Sequence, residues 1–232
     1  MLNRIAIVIL VIGVAMTGWS SWKWYASSSG VIHDSEKAQS ISENWNRTSV
    51  DEVFKTREEP KVAASDSDET PPPEENGNET KEYSYENGDE IGKLVIPKLE
   101  NIYEVYWGTD DKTLDRGVGY HEGDFTTPPD GLGHTVLSGH RDTVFRELGD
   151  LEEGDRLYVE FESQIYEYQI RDIWITDAED RSVIVDKDSP TLTLTTCYPF
   201  SFIGAAPDRY IIEAELTNIE QKDENTGEAH LN

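Results

Sequence analysis

The chain has 232 residues, a formal net charge of -27 and a single cysteine. A chain this acidic is a poor partner for nucleic acid, because binding to a phosphate backbone needs clusters of Lys and Arg that the sequence lacks. One cysteine rules out an internal disulfide, and the length leaves room for one globular domain of ordinary size.

The amino terminus carries the longest apolar stretch of the chain. Residues 5–16 read IAIVILVIGVAM, and the stretch continues to Trp22 if small polar residues are included, close to the length of about 20 residues that crosses a bilayer. Four aromatic residues of the kind found at membrane interfaces lie at the end of this stretch: Trp19, Trp22, Trp24 and Tyr25. We predict an uncleaved transmembrane helix in residues 1–25 rather than a cleaved signal peptide, with the remainder outside the cell.

Residues 26–89 are rich in Ser, Glu and Asp and contain few apolar side chains. Such a segment cannot bury enough apolar surface to offset the entropy lost on ordering. We therefore predict a disordered, flexible acidic stalk over this range. Residues 218–232 are also polar and charged, and we predict that they form a frayed tail.

Residues 90–217 are predicted to form the folded domain. They contain short β-rich runs separated by Gly, Pro and Asp, which favours an antiparallel barrel or sandwich. The predicted strands are residues 91–99, 102–107, 134–139, 156–161, 165–176, 182–185, 191–196 and 209–216. Only residues 112–117 and 144–148 look helical, so the domain is all-β with short helices.

Three residues of this domain are candidates for chemistry. Cys197 follows the alternating run TLTLTT, Arg209 opens the run RYIIEAEL, and His140 follows the run HTVLSG, so each lies at the end of a predicted strand. A thiol nucleophile needs a partner that favours its thiolate or protonates the leaving group, and an imidazole does either. An arginine supplies donors and positive charge to a developing oxyanion. Together they are the parts of a thiol acyltransferase or hydrolase.

Structural interpretations of the same residues stay open at this point. A lone cysteine on a strand is most often a small core residue, and Arg209 can simply pair with a surface carboxylate. A zinc site is the other alternative, built from His121, Glu122, His134, His140 and Cys197. Their spacings match no tight ligand pair such as HExxH or CxxC. We predict no metal and no other cofactor, and structural or rim positions for His121 and His134.

The candidate residues lie in segments that resemble one known family. The stretch TLTLTTCYPF resembles the TLxTC signature of sortases, the cell-wall transpeptidases of mainly Gram-positive bacteria, and HTVLSGHRDTVFRELGDLEEGD is similar to their histidine strand and the loop after it. IGKLVIPKL and APDRYIIEAEL are similar to the first and last segments of the family. The resemblance covers about residues 90–216, with these segments in the same order as in the family. The sequence around His140 and Cys197 is most similar to that of class D sortases.

This resemblance implies a closed eight-stranded β-barrel with Cys197 as nucleophile, His140 as proton donor and acceptor, and Arg209 as the oxyanion-binding or substrate-positioning residue. It implies cleavage of an LPxTG-like sorting signal of a secreted surface protein through a Cys thioester, followed by transfer to an amine of a peptidoglycan precursor, lipid II. It also implies a single-pass protein of the cell membrane with an extracellular catalytic domain. Two alternatives are kept: a catalytically inactive, membrane-anchored β-barrel binding module, and a thiol hydrolase that uses water as acceptor.

Overall fold

The computed structural model describes residues 2–27, 31–43, 83–201, 204 and 206–222. The strands are β1 Val31–His33, β2 Glu90–Ile96, β3 Asn101–Trp107, β4 Val118–Tyr120, β5 His134–Ser138, β6 Arg156–Phe161, β7 Gln164–Asp177, β8 Thr191–Tyr198 and β9 Asp208–Gln221. The α-helices are α1 Leu2–Ser27, α2 Ser35–Glu43 and α3 Asp111–Leu114, and short 3-10 turns lie at Pro97–Leu99, Pro129–Gly131 and Leu148–Asp150.

The strands form one sheet in the order β1-β3-β2-β6-β7-β9-β8-β5-β4, and an additional pairing of β3 with β4 closes the sheet. Strands β2 to β9 therefore form a closed barrel of eight strands, while β1 lies beside β3 on the edge that β4 also uses. Closure removes most exposed sheet edges. The predicted all-β, eight-stranded barrel is confirmed.

Strand β8 shows how the alternating Thr and Leu residues are used. Leu192 and Leu194 are fully buried in the core together with Ile212 and Ala214 of β9. Full burial of a Leu or Ile side chain stabilises a fold by about 1.5–3 kcal/mol. Thr193 on the opposite face is fully buried as well, so both faces of β8 are covered rather than the one face that alternation predicts.

Two predicted elements differ in the structure. Residues 182–185 were predicted as a strand but form bends. Strand β8 already pairs with β5 on one side and β9 on the other, so this apolar segment covers the sheet instead of joining it. Residues 144–148 form turns that end in a short 3-10 segment rather than a helix, and Val144, Phe145 and Leu148 are buried in the core.

The predicted stalk is ordered near its amino-terminal end, which corrects the prediction for residues 31–43. Strand β1 pairs antiparallel with β3, and α2 buries Ala38 completely against the barrel wall formed by Val95, Ile102 and Tyr158. A few apolar side chains suffice because the barrel supplies a free strand edge and an apolar surface. The average composition of the long acidic segment conceals them.

The folded domain also extends beyond its predicted boundaries at residues 90 and 217. Tyr83 and Tyr85, placed in the stalk by composition, pack their rings against Trp107 at centroid distances of 5.9 and 5.2 Å. Strand β9 continues to Gln221 and buries Asn218, so the folded part extends past residue 217. The predicted stalk residues 44–82 and the tail residues 223–232 lie outside the described residues.

The amino-terminal segment forms helix α1. Large apolar side chains are exposed along it, among them Leu10, Val14, Met16 and Trp19. None of the helices in the described part of the chain has both the length and the apolar character needed to cross a bilayer.

Candidate active site

Strands β5 and β8 run parallel, and this pairing brings the candidate histidine and cysteine to one rim of the barrel. Ser138 is opposite Thr195 in the register. The backbone NH of Gly139 donates to the oxygen of Thr195 at 3.2 Å, which extends the ladder beyond that pair. His140 and Cys197 are each two positions beyond the Ser138–Thr195 pair. Because parallel strands end at the same edge of a sheet, the two residues follow strand ends that lie next to each other at one rim of the barrel.

Strand β9 adds the arginine. Cys197 is directly opposite Arg209 in the antiparallel register of β8 and β9. Directly opposite residues project from the same face of a sheet, with Cβ atoms about 4.5–5.5 Å apart. Side chains alternate along β8, so Leu194 points into the core and Cys197 points to the outer face. The free thiol is accordingly only partly buried, which argues against a core cysteine.

The candidate imidazole is open to solvent and has a carboxylate neighbour. The His140 side chain is 39% exposed, and its Nε2 lies 3.8 Å from Oδ1 of Asp115, whose side chain is 42% exposed. This separation is too long for a hydrogen bond. Asp115 directly follows helix α3. Sequence reasoning missed it because one aspartate gives no signal in a chain with 47 acidic residues.

The guanidinium of Arg209 lies against the connection between β8 and β9. Its Nη1 donates to the backbone oxygens of Asp208 at 3.0 Å and Ala206 at 3.4 Å. No carboxylate among the described residues lies within ion-pair distance of Arg209, so the structure does not show the surface ion pair considered from the sequence. A thiol, an imidazole and a guanidinium on one accessible rim are the groups that thiol acyl transfer requires.

A second arginine, Arg141, reaches the same connection from the histidine side. It is only 6% exposed. Its Nη1 donates to the backbone oxygen of Pro199 at 3.0 Å and its Nη2 donates to that of Gly204 at 2.7 Å. Its position directly after His140 gave no sequence signal, because burial of an arginine depends on which loop the fold brings over it.

The sortase domain model matches residues 94–217. The chain belongs to the sortase family. Sortase D of Bacillus subtilis (strain 168) is 44% identical over 128 residues, which cover 55% of this chain and 64% of that protein. The chain thus spans slightly less than two thirds of this curated relative.

Solved structures agree with the family and with the class. The catalytic domain of Bacillus anthracis SrtD is 55% identical, with a TM-score of 0.54 over 62% of this chain and 97% of that one. Sortase C of Clostridium perfringens, solved with a C-terminal cell wall sorting motif, is 27% identical, with a TM-score of 0.53 over 58% of this chain and 74% of that one. The similarity to two class D sortases confirms the class predicted from the sequence.

The sortase domain places His134 at the other end of β5, away from the candidate site. Its Nδ1 lies 2.8 Å from the backbone oxygen of Val185 and its Nε2 lies 2.8 Å from Oγ1 of Thr193. A carbonyl oxygen only accepts hydrogen bonds, so Nδ1 carries the hydrogen and Nε2 accepts from the threonine hydroxyl. Burial lowers the pKa of His134, which keeps the ring neutral. His134 is a structural histidine.

The residues weighed as zinc ligands are spread over the sortase domain. The backbone NH of His121 donates to Val136 in the middle of β5, and Oε2 of Glu122 accepts a hydrogen bond from Trp107 Nε1 at 3.2 Å. Burial lowers the pKa of His121. In residues 2–27, 31–43, 83–201, 204 and 206–222, no group of three or more His, Cys, Asp or Glu side chains is arranged to hold a metal ion.

Proposed function

We propose that this protein is a sortase transpeptidase whose catalytic residues are Cys197, His140 and Arg209. The observation that carries the proposal is the register of three neighbouring strands: β8 lies between β5 and β9, with Cys197 opposite Arg209 and beside the strand end that leads to His140. The sortase family membership of residues 94–217 supports the same reaction class.

In the proposed first step, Cys197 passes its thiol proton to His140, and its Sγ attacks the threonine carbonyl carbon of an LPxTG-like sorting signal. Arg209 donates to the oxygen as it becomes negative, and His140 gives a proton to the leaving amine as the C–N bond breaks. The products are a thioester on Cys197 and a released carboxyl-terminal fragment.

In the proposed second step, an amine of a peptidoglycan precursor attacks the thioester carbon. His140 takes the proton from the amine and returns it to the sulfur as the C–S bond breaks, so the thiol is restored as the new amide forms. The Clostridium perfringens sortase C solved with a cell wall sorting motif supports a peptide of this class as substrate. The partly exposed thiol is accessible to such a peptide, whereas an inactive binding module would leave it idle.

Residues 1–25 are proposed to hold the catalytic domain at the outer face of the cell membrane, where secreted substrates and lipid-linked precursors meet. The exposed apolar side chains of α1 support membrane attachment. Sodium carbonate extraction of cell membranes tests it: the full chain should remain in the pellet, and a chain without residues 1–25 should not. Release of the full chain into the soluble fraction would contradict the anchor.

Incubation of residues 26–232 with a panel of LPxTG-like peptides, followed by mass spectrometry, tests the proposed chemistry. We expect an acyl adduct on Cys197 that is absent from Cys197→Ala, and faster turnover when an amine acceptor is added. Turnover that ignores added amines would indicate a hydrolase. Absence of any adduct over the whole panel would remove the proposal.

A further inference from the structure

The buried guanidinium of Arg141 bridges two points of the chain between β8 and β9. Pro199 lies two residues after Cys197, and Gly204 lies five residues before Arg209. The two hydrogen bonds from Arg141 therefore reach both halves of this connection. On the other side, Arg209 itself donates to Ala206.

Burial of an arginine has an energetic consequence. A guanidinium is always charged and carries five N–H donors, and removing a charge from water is unfavourable unless its hydrogen bonds are replaced. Another contact of Arg141, from Nε to Oδ1 of Asp142 at 3.2 Å, involves a side chain that is 69% exposed. The backbone oxygens of Pro199 and Gly204 thus replace water inside the protein, which ties the position of the connection to that of Arg141.

Aromatic contacts also pack the connection against the two strands that it joins. The ring of Phe200 lies edge-on to Tyr210 at 5.1 Å between centroids and to Tyr198 at 5.6 Å. Arg141 fixes the backbone on either side of this ring, while its own backbone continues from His140. One side chain therefore links the histidine end of β5, the segment after Cys197 and the segment before Arg209.

We infer that Arg141 is a positioning residue for the acyl transfer proposed above, one that sets the placement of Cys197 and Arg209 relative to His140 without contacting the peptide. This inference rests on the proposed function. A misplacement of about 1 Å in a reacting group lowers turnover by about 100-fold, so a small movement of this connection is sufficient to slow the reaction.

The variants Arg141→Ala and Arg141→Lys test the inference in residues 26–232, with Arg171→Ala as the matched control. Arg171 is a partly exposed arginine on β7 that pairs with Glu215 on the barrel surface. Each variant is measured for kcat and KM with a sorting peptide, for its pH–rate profile, for alkylation of Cys197 by iodoacetamide, and for hydrogen exchange of the peptide spanning residues 198–208.

For Arg141→Ala we expect kcat to fall about 10- to 100-fold, KM and the shape of the pH–rate profile to stay unchanged, and exchange in residues 198–208 to accelerate. Alkylation should stay within about 3-fold, because a small reagent needs no aligned partner. Arg141→Lys should recover part of kcat, since an ammonium provides donors but not a fork that fits two carbonyls. Arg171→Ala should behave as wild type.

Several results would overturn the inference. Wild-type kcat and exchange in Arg141→Ala would mean that the connection does not need this side chain. A displaced pH–rate profile would indicate that Arg141 acts through its charge, and faster exchange over the whole barrel in both Arg141 variants would indicate a general role in stability. If the wild-type protein processes no peptide, the proposed function fails, while hydrogen exchange still decides whether Arg141 holds residues 198–208.

Discussion

The two ends of the parallel pair β5–β8 each carry a histidine, and the two histidines have opposite surroundings. At the amino-terminal end, His134 is 2% exposed and has a hydrogen-bond partner at each ring nitrogen. At the carboxyl-terminal end, the side chain of His140 is 39% exposed and lies near Asp115.

The difference shows that partners and coverage, not residue type, separate a structural histidine from a candidate catalyst. The apolar segment 182–185 covers the end at His134, and its Val185 supplies one of the hydrogen-bond acceptors. A ring with both nitrogens occupied cannot exchange a proton with a substrate. At the other end the imidazole is accessible, as general acid–base chemistry requires. Four predictions test this contrast, from the largest expected effect to the smallest.

The largest expected effect is that of His140→Asn on catalysis. We expect kcat/KM for a sorting peptide to fall by about 10³- to 10⁴-fold, because proton transfer to the leaving amine is lost. The thermal midpoint should move by no more than about 2 °C, since an exposed side chain contributes little to stability. Peptide cleavage by mass spectrometry and a thermal melt provide the two measurements. Activity near wild type would remove His140 from the mechanism.

The opposite pattern is expected for His134→Leu. Thr193 would keep a buried hydroxyl without its partner and the carbonyl of Val185 would lose its donor, so the free energy of unfolding should fall by about 1–3 kcal/mol. Below the unfolding transition, kcat per folded molecule should stay within about 2-fold, because this end of β5 is remote from the site. Urea denaturation and peptide turnover are measured on the same preparation. Unchanged stability would contradict the structural role.

A smaller effect is expected for Thr196→Val, at the end of the strand pair that leads to His140. The hydroxyl of Thr196 donates to the backbone oxygen of Gly139 at 2.7 Å and so ties β8 to the residue before His140. Loss of this buried hydrogen bond should lower the free energy of unfolding by about 1–2 kcal/mol and kcat by about 10-fold. Thr196→Ser keeps the donor and is the matched control. Wild-type stability and turnover in Thr196→Val would show that this hydroxyl is not needed.

The smallest effect concerns pH. Burial lowers the pKa of His134, so the unfolded chain takes up the proton first as the pH falls below about 6.5, the ordinary histidine value. The contribution of His134 is therefore complete above that pH and is lost as the pH falls through the lowered pKa, by at most about 1.4 kcal/mol per pH unit.

Urea denaturation of wild type and His134→Leu between pH 7.5 and 5 measures this contribution as a difference. The stability advantage of the wild type should shrink as the pH falls. His121, whose pKa is also lowered by burial, is present in both proteins and cancels. An advantage that is independent of pH would show that the proton on His134 does not affect folding.

The sequence was a good guide to the long strands and a poor one to the short ones. Alternation and β-branched residues predicted β6 and β8 to within two residues of their ends, because those patterns reflect the local pleat. Strands β1 and β4 have three residues each, too few for a period to show. They exist because the edge of β3 is available, and that is a property of the assembled sheet.

The candidate site divides in the same way. His140, Cys197 and Arg209 could be selected from their strand-end positions and their chemistry. Their proximity could not, because it depends on the register between strands that are distant in sequence. Asp115 and Arg141 were missed for a related reason: an acidic residue after a short helix and an arginine after a histidine become informative only when the fold shows what lies against them.

The position of β8 between β5 and β9 also determines when the proposed reactive centre exists. Gly139 and Thr196, which join the two strand ends, are 57 residues apart in the chain, and Arg209 is added only by the last strand of the barrel. Before the barrel forms, the unfolded chain carries an isolated thiol with no imidazole or guanidinium held beside it. In the proposed mechanism, the thiol therefore gains both of its partners only when the last strand of the barrel is in place.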